Sequence, residues 1–221
     1  MSGAYPSRNV VPVTIAKGAS LSGAAGPGPG EVVGIILPTK WTTAGVSLAV
    51  DAGDGVYVPL KAQDGTEVAI AGPTAGTDER QTVSGGGPTS GTFKLNFGGQ
   101  ATSALNWNAT AAQVDAALEA LSSIGAGNVV SGGGPLNTTP ITVDFVADLG
   151  QTNVALMTVT EDTTNGTGVT VAETTPGAAG PGAYETVTGV KAPGTVKVRS
   201  GTSGTPVNQA SARIVKLVVV S

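Results

Sequence analysis

The sequence predicts a mainly β protein in which a β-sandwich or jelly-roll-like host domain is interrupted by an α+β insert. Short runs of β-branched residues alternate with polar residues and end at turns, and 34 of the 221 residues are Gly and 14 are Pro. Residues 10–72 and 184–220 have this strand-and-turn pattern. Residues 81–175 differ because they contain the one stretch with clear helical periodicity.

The host strands show a period of two. Val46 and Leu48 place apolar groups on one face of a strand, which puts Ser47 on the other face, towards solvent. Asp54-Gly55 and Asp64-Gly65 are typical of tight turns that need positive φ. The last run, residues 214–220, is almost uniformly apolar and predicts a strand buried on both faces.

Two Gly-Pro segments mark the boundaries of the insert, namely residues 72–76 and 176–182. They predict a discontinuous host domain, formed by residues 1–76 and 180–221, and an inserted module at 77–179. Insertions are tolerated where the two chain ends lie close together at an exposed loop.

The insert contains two segments of similar sequence. Residues 83–88 lead into an alternating strand at 93–97, and the similar residues 130–135 lead into a second one at 141–145. Each copy consists of a strand, a Gly-rich loop and a strand with three apolar residues on one face. This pattern predicts a duplicated hairpin, and two copies are too few for a solenoid.

A helix is predicted between the two copies. Thr110 and Gln113 have the spacing of a capping box, with Asn108 as an alternative cap. Gly125 is suited to end the helix in the left-handed conformation. Four apolar residues share one face at helical spacing: Val114, Ala117, Leu118 and Leu121. One apolar stripe predicts a helix packed on a small sheet.

Composition excludes several classes of chemistry. The chain has no Cys and no His, which removes thiolate sites, the commonest general base and every Ser-His or Cys-His arrangement. Its 11 basic residues are scattered and its net charge is −4, so nucleic acid is not expected as a partner. No apolar run approaches the roughly 18 residues of a membrane span. We expect neither an enzyme nor a bound cofactor.

Two motifs resemble catalytic ones only superficially. The glycine-rich segment at 26–30 lacks the third glycine of a dinucleotide fingerprint, and its prolines remove N–H groups that a phosphate needs. The segment Gly45–Ala49 is close to a nucleophile elbow, but Ser47 sits in the middle of a strand and has no His partner. We interpret the first as a structural loop and the second as an ordinary strand.

Four carboxylates lie near two neighbouring turns: Asp51, Asp54, Asp64 and Glu67. Loop carboxylates can hold calcium, but the EF-hand spacing is missing and Asp-Gly pairs are more often plain turns. No metal site is predicted. Trp41 and Trp107 are the two candidates for an aromatic contact. Trp107 precedes the helix and is expected to pack there, whereas Trp41 could be either a core residue or an exposed anchor.

The insert resembles a module found in many phage virion proteins. The matching segments are Gln81–Val83, Gly91–Gln100, Asn108–Leu121 and Gly125–Val129. The host domain is similar to small structural proteins of phages and prophages. Its matching segments are Val13–Ser22, Val33–Pro38 with Trp41, Asp64–Val68 and Val196–Thr202. The two resemblances imply a virion component whose insert is displayed.

From this resemblance we expect a capsid decoration protein, of the cement or head-fibre kind, on the virion surface. Its expected partners are the major capsid protein and other copies of itself. The N-terminal arm, with Tyr5, Pro6, Val10 and Val11, and the side chain of Trp41 are the predicted contact residues. A tail, baseplate or fibre component is the first alternative. The second is a carbohydrate-binding adhesin that contacts host-surface glycans through an exposed Trp41.

Overall fold

A computed structural model describes residues 8–26, 28, 30–190 and 194–220. The predicted contact residues Tyr5 and Pro6 lie outside the described residues. Within these ranges the chain forms sixteen strands and one helix, so the prediction of a mainly β fold with a single helix is confirmed. It divides into two compact units, the host unit (Met1–Gly76 with Gly180–Ser221) and the insert (Thr77–Ala179).

The elements follow one another along the chain as follows. The host unit begins with β1 (Arg8–Ile15), β2 (Glu31–Leu37), β3 (Val46–Asp51), β4 (Tyr57–Pro59) and β5 (Ala69–Ile70). The insert contains β6 (Arg80–Ser84), β7 (Thr92–Phe97), β8 (Gln100–Ala101), β9 (Leu105–Asn106), α1 (Ala111–Glu119), β10 (Val129–Gly133), β11 (Ile141–Phe145), β12 (Thr158–Thr160) and β13 (Thr170–Thr175). The host unit resumes with β14 (Ala183–Val190), β15 (Val196–Ser200) and β16 (Arg213–Val220).

The host unit is a sandwich of two antiparallel sheets. The first sheet has the order β1-β16-β2-β14, and the second has β15-β3-β4 with β5 also paired to β3. Alternate residues of both sheets point inwards and form one apolar cluster, in which Ile15, Ile35 and Leu217 of the first sheet meet Leu48 and Val198 of the second. The β-sandwich is therefore confirmed, while the jelly-roll order of connections stays a prediction.

Two host strands differ from their sequence patterns. Ser47 was expected to face solvent but is buried, and its Oγ donates to the carbonyl oxygen of Gly201 at 2.9 Å. That bond satisfies the hydroxyl, so burial costs little. The last strand, β16, was expected to be buried on both faces. Instead Ile214 and Lys216 are exposed, and consecutive burial begins only at Leu217.

The insert packs two small sheets and the helix around its own apolar cluster. One sheet has the order β10-β11-β6-β13, the other β12-β7-β8 with β9 also on β7. Helix α1 packs on β10, β11 and β9. The capping box is confirmed, because Thr110 accepts from the N–H of Gln113 and the Gln113 side chain accepts from the N–H of Thr110. The helix ends at Glu119, earlier than predicted, and Gly125 closes a following turn instead.

The duplicated hairpin is confirmed for one copy only. In the second copy β10 pairs with β11, as predicted. In the first copy β6 and β7 belong to different sheets, because β6 pairs with β11 and β13 while β7 pairs with β12. The strands around residues 158–175 take the positions that a local hairpin would have filled. This competition between local and distant strands is invisible in the local pattern.

Two buried polar side chains at the start of β6 hold an irregular segment. Both Glu79 and Gln81 are fully buried. The Glu79 carboxylate accepts from Gln81 Nε2 at 2.5 Å and from the N–H of Val154 at 2.6 Å. Gln81 in turn accepts from the N–H of Met157 at 2.8 Å and donates to the carbonyl oxygen of Ala155 at 3.1 Å. These side chains supply the partners that segment 154–157 would otherwise find in a strand.

The two ends of the insert are joined to each other. The N–H of Thr77 donates to the carbonyl oxygen of Ala178 at 2.7 Å, and the N–H of Ala178 donates back to Thr77 at 2.9 Å. Just outside this bridge, Gly180 lies close to Gly76, since a Cβ on Gly180 would be 3.0 Å from the backbone nitrogen of Gly76. The chain therefore leaves and re-enters the host unit at nearly the same point.

Candidate interaction surface

The outward side of the first host sheet is the candidate site. Inward residues of the sheet fill the core, so the alternate positions face away from it. The strand register places two rows of these outward residues side by side. One row is Val10, Val218, Gly34 and Thr186, and the next is Pro12, Lys216, Ile36 and Tyr184. Together with Ile214, which follows on β16, we call these residues the outer face.

The outer face is mostly apolar, and three of its large apolar residues are accessible, whereas Val218 is buried with 6% exposure. Val10, Tyr184 and Ile214 are 52%, 52% and 58% exposed, although large apolar residues are usually buried. They come from three different strands of one sheet, β1, β14 and β16. A contiguous apolar patch on a soluble protein is typical of an interaction site, whereas single exposed apolar residues are not.

Tyr184 is positioned by Gly34 of the neighbouring strand β2. Gly34 pairs in register with Thr186, two residues beyond Tyr184 on β14. A Cβ on Gly34 would lie 2.7 Å from Tyr184 Oη, 2.8 Å from Cε2 and 2.9 Å from Cζ. The ring therefore lies directly over Gly34 and uses the space that any other residue would fill. An aromatic ring packed over a strand glycine restores contacts that the missing side chain cannot make. The opposite side of the ring faces outwards, as the exposure of Tyr184 shows.

Both edges of this sheet carry features that oppose strand addition. Edge strand β1 contains Pro12, which has no N–H to offer a further strand. Edge strand β14 has a register shift between Thr186 and Val190, which is typical of a bulge. Such irregular edges are a common protection against edge-to-edge pairing. The outer face, rather than an edge, is thus the part of this sheet that suits a partner.

We expect Gly34→Ala to displace the Tyr184 ring while leaving the host unit folded. The new methyl group would overlap the end of an exposed side chain, which can swing away, so the free energy of unfolding should change by less than about 1 kcal/mol. The measurement is the NMR chemical shift of the Tyr184 ring protons, together with urea denaturation. Gly23→Ala is the control, because a Cβ there meets nothing within 4 Å. An unchanged ring shift in Gly34→Ala would contradict the packing.

The loop carboxylates are engaged by their own turns. Asp51 accepts from the N–H groups of Gly53 and Gly55, and the bond from Gly53 is the main cause that lowers the pKa of Asp51. Asp54 accepts from the N–H of Val56, and Asp64 from both donors of Thr66. Among the residues that the structure describes, no three acidic side chains are grouped as metal ligands would be.

Glu67 has a different role from the other three. Its carboxylate accepts from the N–H and Oγ of Ser203 and lies 3.4 Å from an Arg199 nitrogen. Burial acts to raise the pKa of Glu67, but the hydrogen bonds from Ser203 and the charge of Arg199 help to outweigh it, so the pKa lies below its ordinary value. Glu67 thus fastens the loop after β15 to the turn before β5.

A polar cleft of about 380 Å³ on the insert is lined by Asp78, Arg80, Asp144, Val146 and Thr175. Its charged groups already have partners. Arg80 donates from Nε and Nη2 to the two oxygens of Asp144, at 2.6 and 2.8 Å, and Asp78 accepts from the N–H of Gln151. The lining has no aromatic side chain on which a sugar ring could stack. This cleft is therefore a weaker candidate than the outer face.

The predicted contact residues separate into different environments. Val10 lies on the outer face and is accessible. Val11, the next residue, packs against the host core, and Trp41 is completely buried in it. Trp41 cannot serve as a surface contact in this fold, and its burial counts against the adhesin alternative that relied on it. Trp107 is half-buried beside the start of the helix.

The outer face contains residues that sequence reasoning missed. Four contact residues could not be predicted from the sequence, because they lie on three strands that are far apart in the chain: Tyr184, Ile214, Ile36 and Lys216. One local signal was present. Lys216 interrupts the apolar run of β16 at an outward position, which indicates that this side of the strand is not simply core.

Comparisons with known proteins give little similarity. No protein-family model matches the chain, and no curated protein matches its sequence. No helix in the described ranges has the length and apolar character needed to cross a membrane. A solved structure from Mycobacterium phage Patience is similar over 76% of this chain and 90% of its own, with 14% sequence identity and a TM-score of 0.34. At that TM-score the similarity does not establish a shared fold.

Proposed function

We propose that this chain is a non-catalytic structural protein of a phage particle, and that it decorates the capsid by docking its outer face on the major capsid lattice. The accessible apolar outer face is the observation that supports docking, because three large apolar side chains are exposed on one sheet whose edges are irregular. The resemblance of sequence segments in both domains to phage virion proteins supports the phage context.

The proposed mechanism is selective binding to the assembled lattice. A protein that binds the assembled shell but not its free subunits stabilises the shell by mass action. A specific contact of this kind buries about 1,200–2,000 Å² in total. In this proposal the host unit supplies the docking sheet and the insert is the displayed module. The absence of His and Cys from the sequence supports a role without catalysis.

Deleting the gene from the phage genome tests the position in the particle. We expect particles that lack the protein to assemble and adsorb normally, but to lose infectivity at a lower temperature than wild-type particles. If they keep full head stability and fail to adsorb, the decoration role is wrong and a tail or fibre role replaces it. Locating the protein on wild-type particles by electron microscopy separates the two in an independent way.

Ile214→Ser tests the outer face directly. Ile214 is 58% exposed, so we expect the free energy of unfolding to change by less than about 0.5 kcal/mol. Loss of an interface anchor typically costs about 2 kcal/mol of binding, so the affinity for the particle should fall at least about tenfold. The measurement is the number of copies per purified particle as the added protein is titrated.

Val56→Ser is the matched control for this measurement. Val56 is 56% exposed and lies beside β4 on the other host sheet, away from the outer face. We expect this variant to bind particles like the wild type. Equal binding by Ile214→Ser and wild type would show that another surface makes the contact.

A further inference from the structure

Lys216 is the charged residue in the middle of the outer face. It lies between Pro12 on β1 and Ile36 on β2, and Ile214 and Val218 flank it along β16. All four of these neighbours are apolar, and Tyr184 lies beyond Ile36 in the same row. The side chain is exposed, so its ammonium group reaches into the space that a docked partner would occupy.

No acidic side chain in the described part of the chain pairs with Lys216. Salt bridges elsewhere in the described part of the chain join Arg80 with Asp144, Lys94 with Glu161, and Arg199 with Glu67. The acidic residue of β2, Glu31, is paired in register with Val220 and lies two rows away, at the far end of the sheet. Removing a cation from water and surrounding it with apolar groups costs free energy unless an opposite charge lies beside it. The exposed lysine is therefore tolerated in solution but would need an anion once a partner covers it.

The charge of the outer face also differs from that of the chain. Lys216 is the charged residue among those that define the outer face, which gives this face a net charge of +1, whereas the whole chain has −4. In a two-fold symmetric dimer a second copy would present the same excess of positive charge, because such an interface pairs the same patch of both copies. Complementary charge across an interface selects the partner and excludes like-charged surfaces.

From these observations we propose that the outer face docks on an apolar protein surface that carries a carboxylate opposite Lys216, and that this partner is not a second copy of the chain. The inference rests on the proposed docking of the outer face and names the chemistry of the surface that it meets. The carboxylate replaces the water around the ammonium group, and the surrounding Ile214, Ile36 and Pro12 exclude solvent from the pair.

Substitution of Lys216 in the phage genome tests this partner chemistry. The variants are Lys216→Arg, Lys216→Met and Lys216→Glu, and the control is Lys61→Glu, which makes the same charge change at an exposed position outside the outer face. Copies per purified particle are measured at low and high salt. We expect Lys216→Arg to be retained, Lys216→Met to bind more weakly, and Lys216→Glu to bind at least about tenfold more weakly, while Lys61→Glu behaves like the wild type.

Second-site suppressors identify the opposite group. Phages that regain occupancy with Lys216→Glu should have replaced an Asp or Glu in another virion protein by a neutral or basic residue. Wild-type occupancy of Lys216→Met or Lys216→Glu would overturn the inference. It would also be overturned if sedimentation showed a wild-type dimer that Lys216→Glu dissociates, because the occupant would then be a second copy. Full binding by Lys216→Glu with lost binding by Ile214→Ser would leave the docking proposal standing and reject only the carboxylate.

Discussion

Replacing Trp41 by alanine is expected to lower the free energy of unfolding of the host unit by about 4 kcal/mol. The indole is completely buried within the apolar cluster between the two host sheets. Its Nε1 donates to the carbonyl oxygen of Ala44 at 3.0 Å, and a Cβ on Gly72 would lie 3.3 Å from the same nitrogen. Because the side chains around the indole are closely packed, they cannot move far enough to fill the cavity that alanine would leave. The truncation therefore removes both apolar contacts and a hydrogen bond.

The two tryptophans make this measurement selective. The sequence has one in each unit, Trp41 in the host unit and Trp107 in the insert. In Trp41→Ala, circular dichroism follows both units and the remaining fluorescence of Trp107 follows the insert, so the part of the circular dichroism transition that the fluorescence does not show belongs to the host unit. Trp41→Phe is the control that keeps a ring and removes the N–H, and we expect a smaller loss. A loss below about 1 kcal/mol for Trp41→Ala would contradict its place in the core.

Glu79→Ala is expected to destabilise the insert by about 3 kcal/mol. The carboxylate is fully buried and accepts bonds from Gln81 Nε2 and from the N–H of Val154. Alanine leaves both donors without this acceptor in a place that water does not reach, and an unsatisfied buried donor costs more than the bond itself contributes. Segment 154–157 should loosen from β6 as a result.

Hydrogen exchange and denaturation measure this effect together. In Glu79→Ala the amides of Val154 and Met157 should exchange faster. In a Trp41→Phe background, where Trp107 is the remaining tryptophan, the fluorescence transition should move to lower denaturant. Glu173→Ala is the control. Glu173 lies on the neighbouring strand β13, opposite Gln81 in the register, but it is exposed. We expect its stability to change by less than about 0.5 kcal/mol. Equal free energies of unfolding for the two variants would show that the hydrogen bonds of Glu79 make no net contribution to the stability of the insert.

Features that depend on neighbouring residues could be predicted from the sequence. The capping box of Thr110 and Gln113 needs only a spacing of three, and the turns at Asp54-Gly55 and Asp64-Gly65 need only adjacent residues. The sandwich also follows from alternation in several short strands. The cap, the turns and the alternation are local properties, and the structure reproduces them because no distant contact competes with them.

Features that depend on distant partners could not be predicted in this way. The alternation pattern does not show which strand pairs with β6, or that Glu79 and Gln81 occupy inward positions, because polar residues in a strand usually face solvent. The outer face needs Pro12, Lys216, Ile36 and Tyr184 in one row, and only the register of four strands brings them together. Trp41 shows the same limit, since its burial depends on both sheets.

The reciprocal hydrogen bonds between Thr77 and Ala178 have an evolutionary consequence. Because the chain departs and returns at one point, a recombination event that swaps the segment between these residues changes the insert without altering a strand of the host sandwich. Closing such a junction with a longer or shorter segment changes the loop entropy only slowly with length. The segment between these residues can therefore be exchanged while the strands of the host sandwich are kept, and the host unit and the insert can diversify at separate rates.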